Sequence, residues 1–292
     1  MPCPSAGRIG RLQPIDRLPP QAYFVGSAIF HYLGPSFAVL LFARVDVLGV
    51  AWLRIASAAL VFAIWRRPWR KFATLDRQGR WLIVGLGGVF AVMNVCFYVS
   101  IDRLPLATVA AIEFIGPIVL AVIGTRVGRN YAAVAAAVAG VYLLTHVRFV
   151  GEPVGVAFAF ANALLFTAYI VLAHRVARHA AISGVDGLAA AMLFAFVFVS
   201  TIGLAEAAHA FTDPVALAAG VGVGVSSSVI PYVFDQLAMA KIPRATYALF
   251  VALLPATALV IGVIVLQQIP TAFELAGIAL VIVGVALHRP AV

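Results

Sequence analysis

Glu113 and Arg54 are the two residues of this chain best placed to do chemistry. Each carries a charge near the middle of a long apolar run, Glu113 one turn before Pro117 and Arg54 between Leu53 and Ile55. An ionisable group at such a place costs about 2.5–3.5 kcal/mol on insertion scales, so it calls for a partner or a task. Desolvation penalises the charged form of a carboxyl, which suits Glu113 to carry a proton or to meet a substrate ammonium. The planar fork of Arg54 suits a substrate carboxylate. On the plainer reading the two neutralise each other and brace the helices that carry them. A substrate competing for the pair would reconcile the two readings.

Other polar residues in apolar runs form a second set. Asn94, Tyr98, Asn162, Tyr169, Tyr232 and Tyr247 combine apolar bodies with hydrogen-bonding tips. Tyrosines of this kind suit small zwitterions with varied side chains, and each residue taken singly reads equally well as interhelical glue. Convergence on one cavity would separate the two readings. His31 is either a group that titrates near physiological pH or a satisfied buried histidine. Asp235, just after Pro231-Tyr232, is either a second proton site near the cytoplasmic mouth or a solvated helix-end charge facing Lys241. Pro117 and Pro255 would free backbone carbonyls and permit bending, which makes both candidate hinges.

Several motifs are weaker than they look. Gly220, Gly222 and Gly224 followed by Ser226-Ser227-Ser228 resemble a phosphate loop. No lysine follows them, and close helix packing by small residues is the expectation. The two cysteines, Cys3 and Cys96, suggest neither a disulfide framework nor a metal site, and Cys96 reads as a packing residue. The sequence offers no nucleophile–base arrangement and no nucleotide motif. An enzyme acting on lipids is therefore disfavoured, no cofactor is expected, and an ion gradient is the default energy source.

The elements that must position these residues follow from composition. The chain is 64% hydrophobic and 11% charged, with mean hydropathy +1.07; a soluble domain carries about 25% charged residues. The chain is thus expected to be an all-α integral membrane protein. Its net charge of +9 does not point to nucleic acid, because the basic residues sit between apolar runs. Residues 1–20 read as a cytoplasmic tail and lack the apolar stretch of a cleavable signal peptide. A spanning helix needs about 20 apolar residues. Ten runs qualify: 21–42, 47–65, 81–101, 104–124, 130–147, 154–173, 187–205, 214–236, 243–266 and 271–288. Arg66-Arg67-Pro68, Asp213-Pro214 and Ile269-Pro270 punctuate them.

With the N-terminus inside, the cytoplasmic segments hold sixteen of the twenty Lys and Arg residues, and both termini are cytoplasmic. The outer loops keep Arg44, Arg103 and Arg148 and most of the acids. Trp65 and Trp81 flank the basic 66–80 loop as interfacial aromatics do. Arg103-Leu104-Pro105-Leu106-Ala107-Thr108, with Pro117 and Gly124, returns 138 residues later as Lys241-Ile242-Pro243-Arg244-Ala245-Thr246, with Pro255 and Gly262. Two halves follow, 21–147 and 154–288. Five spans each is an odd number, so the halves are expected to have inverted topology. Inverted repeats around a central site are a transporter signature. A non-transporting membrane sensor or scaffold is the rival reading from a different class.

The run Val95-Cys96-Phe97-Tyr98-Val99-Ser100-Ile101-Asp102-Arg103-Leu104-Pro105, continuing through Ala111-Ile112-Glu113-Phe114-Ile115-Gly116-Pro117, resembles the EamA family of the drug/metabolite transporter superfamily. Of its branches it is most similar to the threonine/homoserine exporters. Trp52-Leu53-Arg54, Arg67-Pro68-Trp69-Arg70, Ala168-Tyr169-Ile170 and Ile230-Pro231-Tyr232 extend the resemblance over nearly the whole chain. It implies ten helices in two EamA repeats. It also implies efflux of small amino acids or related metabolites across the inner membrane, coupled to protons, with membrane lipid as the surrounding partner. Importers, and exporters of other metabolites or drugs, share the pattern. Glu113, Arg54 and Pro231-Tyr232 match the family by position. The chain departs at Leu266-Gln267-Gln268, where the family often shows Leu-Gly-Glu, and at Val39, where the exporter branch typically has lysine.

Overall fold

Short polar residues start the helices of this protein, and proline or a left-handed turn stops them. The computed structural model describes residues 20–116, 119, 128–149, 152–177, 179, 181–234 and 254–287. Among the described residues all regular secondary structure is helical: α1 (Pro20–Leu41), α2 (Val47–Arg66), a short α3 (Pro68–Ala73), α4 (Arg77–Arg103), α5 (Leu106–Glu113), α6 (Gly128–Phe149), α7 (Pro153–Ala177), α8 (Gly184–Gly203), α9 (Pro214–Gly224), α10 (Leu254–Leu266) and α11 (Ala272–Leu287). A 3₁₀ turn covers Ala208–Phe211, and a π-helical turn, Val225–Val229, continues α9.

The helix ends have local causes. Asp46 and Asp76 cap α2 and α4 by accepting from Leu48 N–H and Gly79 N–H, each at 2.9 Å. Asp213 caps α9 by accepting from Val215 and Ala216, with Pro214 at the first helical position. Thr271 and Glu274 form a reciprocal capping box on α11. At the far end of α2, Arg67 turns left-handed (φ 49°) before Pro68. α4 begins at Arg77, four residues before the apolar run expected at 81, because Asp76 caps a polar first turn.

Among the described residues, five helices are long and apolar enough to cross a membrane: α2, α4, α7 over Pro153–Val176, α8, and the stretch Pro214–Phe234 that joins α9 to the π-turn. Val25–Leu41, α10 and α11 are shorter apolar helices. One expected span behaves differently. Where 104–124 reads as one continuous run, the regular helix α5 ends at Glu113, Phe114 forms a turn, and helix resumes at Ile115 and Gly116. Pro117, Asp235, Lys241 and Tyr247 lie outside the described residues, as does most of the later copy of the sequence repeat.

The most extensive helix contacts all join an element before residue 150 to one after it: α6 with α11, α4 with α7 and α8, α2 with α8 and α9, and α1 with α10. Glycines permit the closest approaches. A Cβ at Gly140 would come within 2.5 Å of the Gly277 carbonyl, so α6 and α11 touch backbone to backbone. The interior between the two parts of the chain is therefore lined from both.

Candidate functional site

α4 supplies one wall of that interior. Phe90, Asn94 and Tyr98 recur every fourth residue and so share one helix face, and all three are buried. Asn94 donates from Nδ2 to the Ala51 carbonyl of α2 (3.0 Å). That bond fixes the amide's orientation and leaves its Oδ1 buried without a partner. Phe90 packs against Tyr169 of α7 (ring centroids 5.7 Å) and Tyr232 (5.9 Å). Tyr232 in turn meets the edge of His31 on α1 (6.3 Å). His31 is held by the Tyr32 and Tyr232 rings, and no hydrogen bond joins it to another described residue.

Arg54 enters from α2 and is 8% exposed. Its Nε donates to Ser228 Oγ at 3.0 Å, and its guanidinium lies over the Tyr98 ring, 5.5 Å from the centroid. The two terminal nitrogens make no hydrogen bond, and no carboxylate among the described residues pairs with them. The Tyr98 and Ser227 hydroxyls lie beside each other and beside Arg54, within reach of a hydrogen bond but outside its standard geometry, and both residues are buried.

Glu113 stands at the break in α5. Asn162 of α7 donates from Nδ2 to Glu113 Oε1 at 3.2 Å and keeps its own Oδ1 buried and unpartnered. Phe114, next to Glu113, meets Phe166 (6.4 Å), which stacks on Tyr169 (6.2 Å). A chain of ring contacts thus runs from Phe114, beside Glu113, through Phe166 and Tyr169 to Phe90 and Tyr232. The Arg54 charge acts on both Glu113 and His31, but the direct Arg54–Glu113 ion pair is not formed.

The structure therefore brings Arg54, Asn94, Tyr98, Tyr169, Tyr232 and His31 into one connected group and sets Glu113 with Asn162 beside it. Pro255 is buried in the first described turn of α10. Among the described residues, four buried polar atoms lack a partner in standard geometry, Asn94 Oδ1, Asn162 Oδ1, Tyr98 Oη and Ser227 Oγ, and all belong to this neighbourhood. Native interiors rarely leave such atoms unpaired. The Tyr98 and Ser227 hydroxyls lie beside Arg54, and the Asn162 amide oxygen lies beside Glu113.

Sequence reasoning missed Ser227 and Ser228. Its packing reading holds for two of the preceding glycines. A Cβ at Gly224 would come within 2.6 Å of the Arg54 carbonyl, and one at Gly220 within 2.6 Å of Leu53 Cδ1. Three polar residues in succession inside an apolar run were the available signal.

A separate cavity of about 120 Å³ lies where α5 meets α10 and α11, lined by Thr108, Gln268 and Glu274 among others. Buried Glu274 caps α11 there. Gln268 Oε1 accepts from Leu106 N–H (3.0 Å) at the start of α5. The chain thus keeps an oxygen acceptor where the family often has glutamate.

Residues 153–288 match the model of the EamA-like transporter family. The threonine/homoserine exporter RhtA of Salmonella typhimurium (strain SL1344) is 30% identical over 259 residues, which covers 85% of this chain and 84% of the relative. RhtA of Escherichia coli (strain K12) is 30% identical over 260 residues, with the same coverage.

Proposed function

The chain belongs to the EamA-like transporter family, and from that premise we propose that it is a secondary transporter which exports small, threonine- or homoserine-like amino acids or related metabolites across the inner membrane. Transport proceeds by alternating access and is coupled to protons. One observation carries the reading. A buried guanidinium and a part-buried carboxyl are not paired with each other, and each is held by one uncharged hydrogen bond from the later part of the chain. An amino-acid zwitterion supplies what each lacks: a carboxylate for the Arg54 fork and an ammonium for Glu113. Asn94, Tyr98, Tyr169 and Tyr232 line the space between, and His31 and Asn162 stand behind them. Asp235 and Tyr247 belong to the same proposal.

The architecture proposed is ten spans in two inverted halves, 21–147 and 154–288, with both termini cytoplasmic and Pro117 and Pro255 as hinges. The packing supports it. Exchanging the halves maps the α2–α8 contact onto itself and α6–α11 onto itself, and it maps α1–α9 onto α4–α7 and α2–α9 onto α4–α8. Glu113, the last residue of α5 before the turn at Phe114, matches the discontinuous helices that build transporter sites.

The test is efflux of labelled threonine and homoserine from liposomes containing the purified protein, with and without an imposed pH gradient. Flux that follows the gradient, and that loses this response in Glu113→Gln, is the expected result. Glu113→Gln transporting at an unchanged rate with unchanged pH dependence would remove the coupling role. No flux above empty liposomes from folded protein would remove the amino-acid reading.

A further inference from the structure

We infer that the π-turn Val225–Val229 completes the carboxylate half of the site: Ser227 is a direct ligand of the substrate carboxylate, and Ser228 is the residue that aims Arg54 at it. The inference rests on the amino-acid reading above and adds residues that neither the sequence nor the family match singles out.

Geometry separates the two serines. Ser228 accepts the Arg54 Nε–H at 3.0 Å and is fully buried. With Nε engaged, the guanidinium plane is fixed, and the edge left open is the Nη1/Nη2 pair, which makes no hydrogen bond. That edge is the one a carboxylate engages with two parallel bonds. Ser227 is 1% exposed, and its Oγ lies beside the Tyr98 hydroxyl, outside standard hydrogen-bond geometry. Two hydroxyls therefore stand beside the guanidinium edge. An anion with several lone pairs can accept from the guanidinium and from both hydroxyls at once. A carboxylate fits that description, whereas an amine, an amide or a hydrocarbon does not.

The turn is held in place from outside. α1 approaches so closely that a Cβ at Gly34 would collide with Ser227 Oγ and lie 2.8 Å from the Ser227 backbone nitrogen. Ser27 Oγ donates to the Pro231 carbonyl at 3.2 Å, just beyond the turn. π-turns inside α-helices recur at functional sites. Here the wider turn sets neighbouring serines against Tyr98 and Arg54 together.

The experiment is competition against labelled-threonine counterflow in proteoliposomes, comparing L-threonine with L-threoninamide, which lacks the carboxylate. Wild type is expected to prefer threonine strongly. Ser227→Ala and Ser228→Ala should each lower that preference about tenfold, and Ser228→Thr, which keeps the hydroxyl, should restore it. A purely structural role would weaken both competitors alike and leave the ratio unmoved. Should Ser227→Ala fail to fold, Ser227→Cys, with similar volume and a poor donor, gives the same reading. Wild type preferring threonine while both alanine variants keep the full preference overturns the inference and leaves the Arg54 reading standing. Wild type treating threonine and its amide alike overturns the carboxylate reading and the inference with it. Absence of threonine counterflow removes the amino-acid reading and takes the inference with it.

Discussion

Replacing Arg54 by methionine separates a binding role from a bracing one. The side chain is buried at 8% exposure, and its one hydrogen bond in standard geometry among the described residues is to the neutral Ser228 hydroxyl. That bond contributes about 1.5–3 kcal/mol, and the contact with the Tyr98 ring about 0.5–2 kcal/mol. Against them stands the cost of burying a cation with no anion in contact, several kcal/mol even after relaxation. The terms cancel to within a few kcal/mol, with the balance tilted against the charge. Methionine fills a similar space and adapts its shape to it. Arg54→Met should therefore unfold at the same temperature as wild type in detergent, or a little higher. Function should move the other way. A carboxylate loses two charge-assisted bonds of about 1.5–3 kcal/mol each, so threonine binding weakens at least about 100-fold. Thermal unfolding followed by tryptophan fluorescence and threonine binding by calorimetry read the two effects on one preparation. A steep loss of stability with binding retained would refute the reasoning and make Arg54 a brace.

Three further substitutions test the fold around the site. Gly34→Ala would push a methyl group into the Ser227 backbone, which no rotamer change can relieve; overpacking of this kind costs about 1–3 kcal/mol, and unchanged stability in chemical or thermal unfolding would mean that the π-turn yields. Gln267 holds a left-handed φ of 55° at the end of α10, so Gln267→Gly should stabilise the protein by about 1 kcal/mol in the same measurement, and a loss would show that the Gln267 Nε2 bond to the Ile264 carbonyl (3.1 Å) matters more. The Ala216 backbone N–H, and after it Arg44, hold the Asp213 carboxyl below the usual aspartate range. Its stabilising effect is full above the ordinary aspartate value and is lost as pH falls. The Tm gap between wild type and Asp213→Ala should accordingly be constant near neutral pH and shrink below about pH 4; a gap that widens on acidification would contradict the capping account.

Apolar run length located the helices but not their ends. α4 starts at Arg77 and α7 runs on to Ala177, because a capped or basic turn continues a helix beyond the apolar window. Punctuation was more dependable where it names a mechanism: Asp213-Pro214 caps and starts α9, and Arg67 before Pro68 ends α2. The departure at Leu266-Gln267-Gln268 gains a physical meaning. Gln267 holds a left-handed turn, the conformation a glycine adopts at no steric cost, and Gln268 Oε1 accepts from the Leu106 N–H.

Polarity inside apolar runs picked out Arg54, Asn94, Tyr98, Glu113, Asn162 and Tyr232, since a polar group that is expensive to bury is kept only where something uses it. It could not foresee that Arg54 and Glu113 would stand unpaired, because pairing depends on how helices distant in sequence are set against one another. Ser227 and Ser228 escaped for a different reason. Serine is cheap enough to bury, and small enough, to pass as packing beside glycines, and in an ideal α-helix adjacent residues point to different neighbours. Only the π-turn places both against Tyr98 and Arg54, and a local change of helical period leaves no mark in composition or hydropathy. The partners that give the serines a role, Arg54 on α2 and Tyr98 on α4, come from the other half of the chain. A site built across two halves is thus most legible where a single residue is costly by itself, and least legible where ordinary residues become ligands through the company they keep.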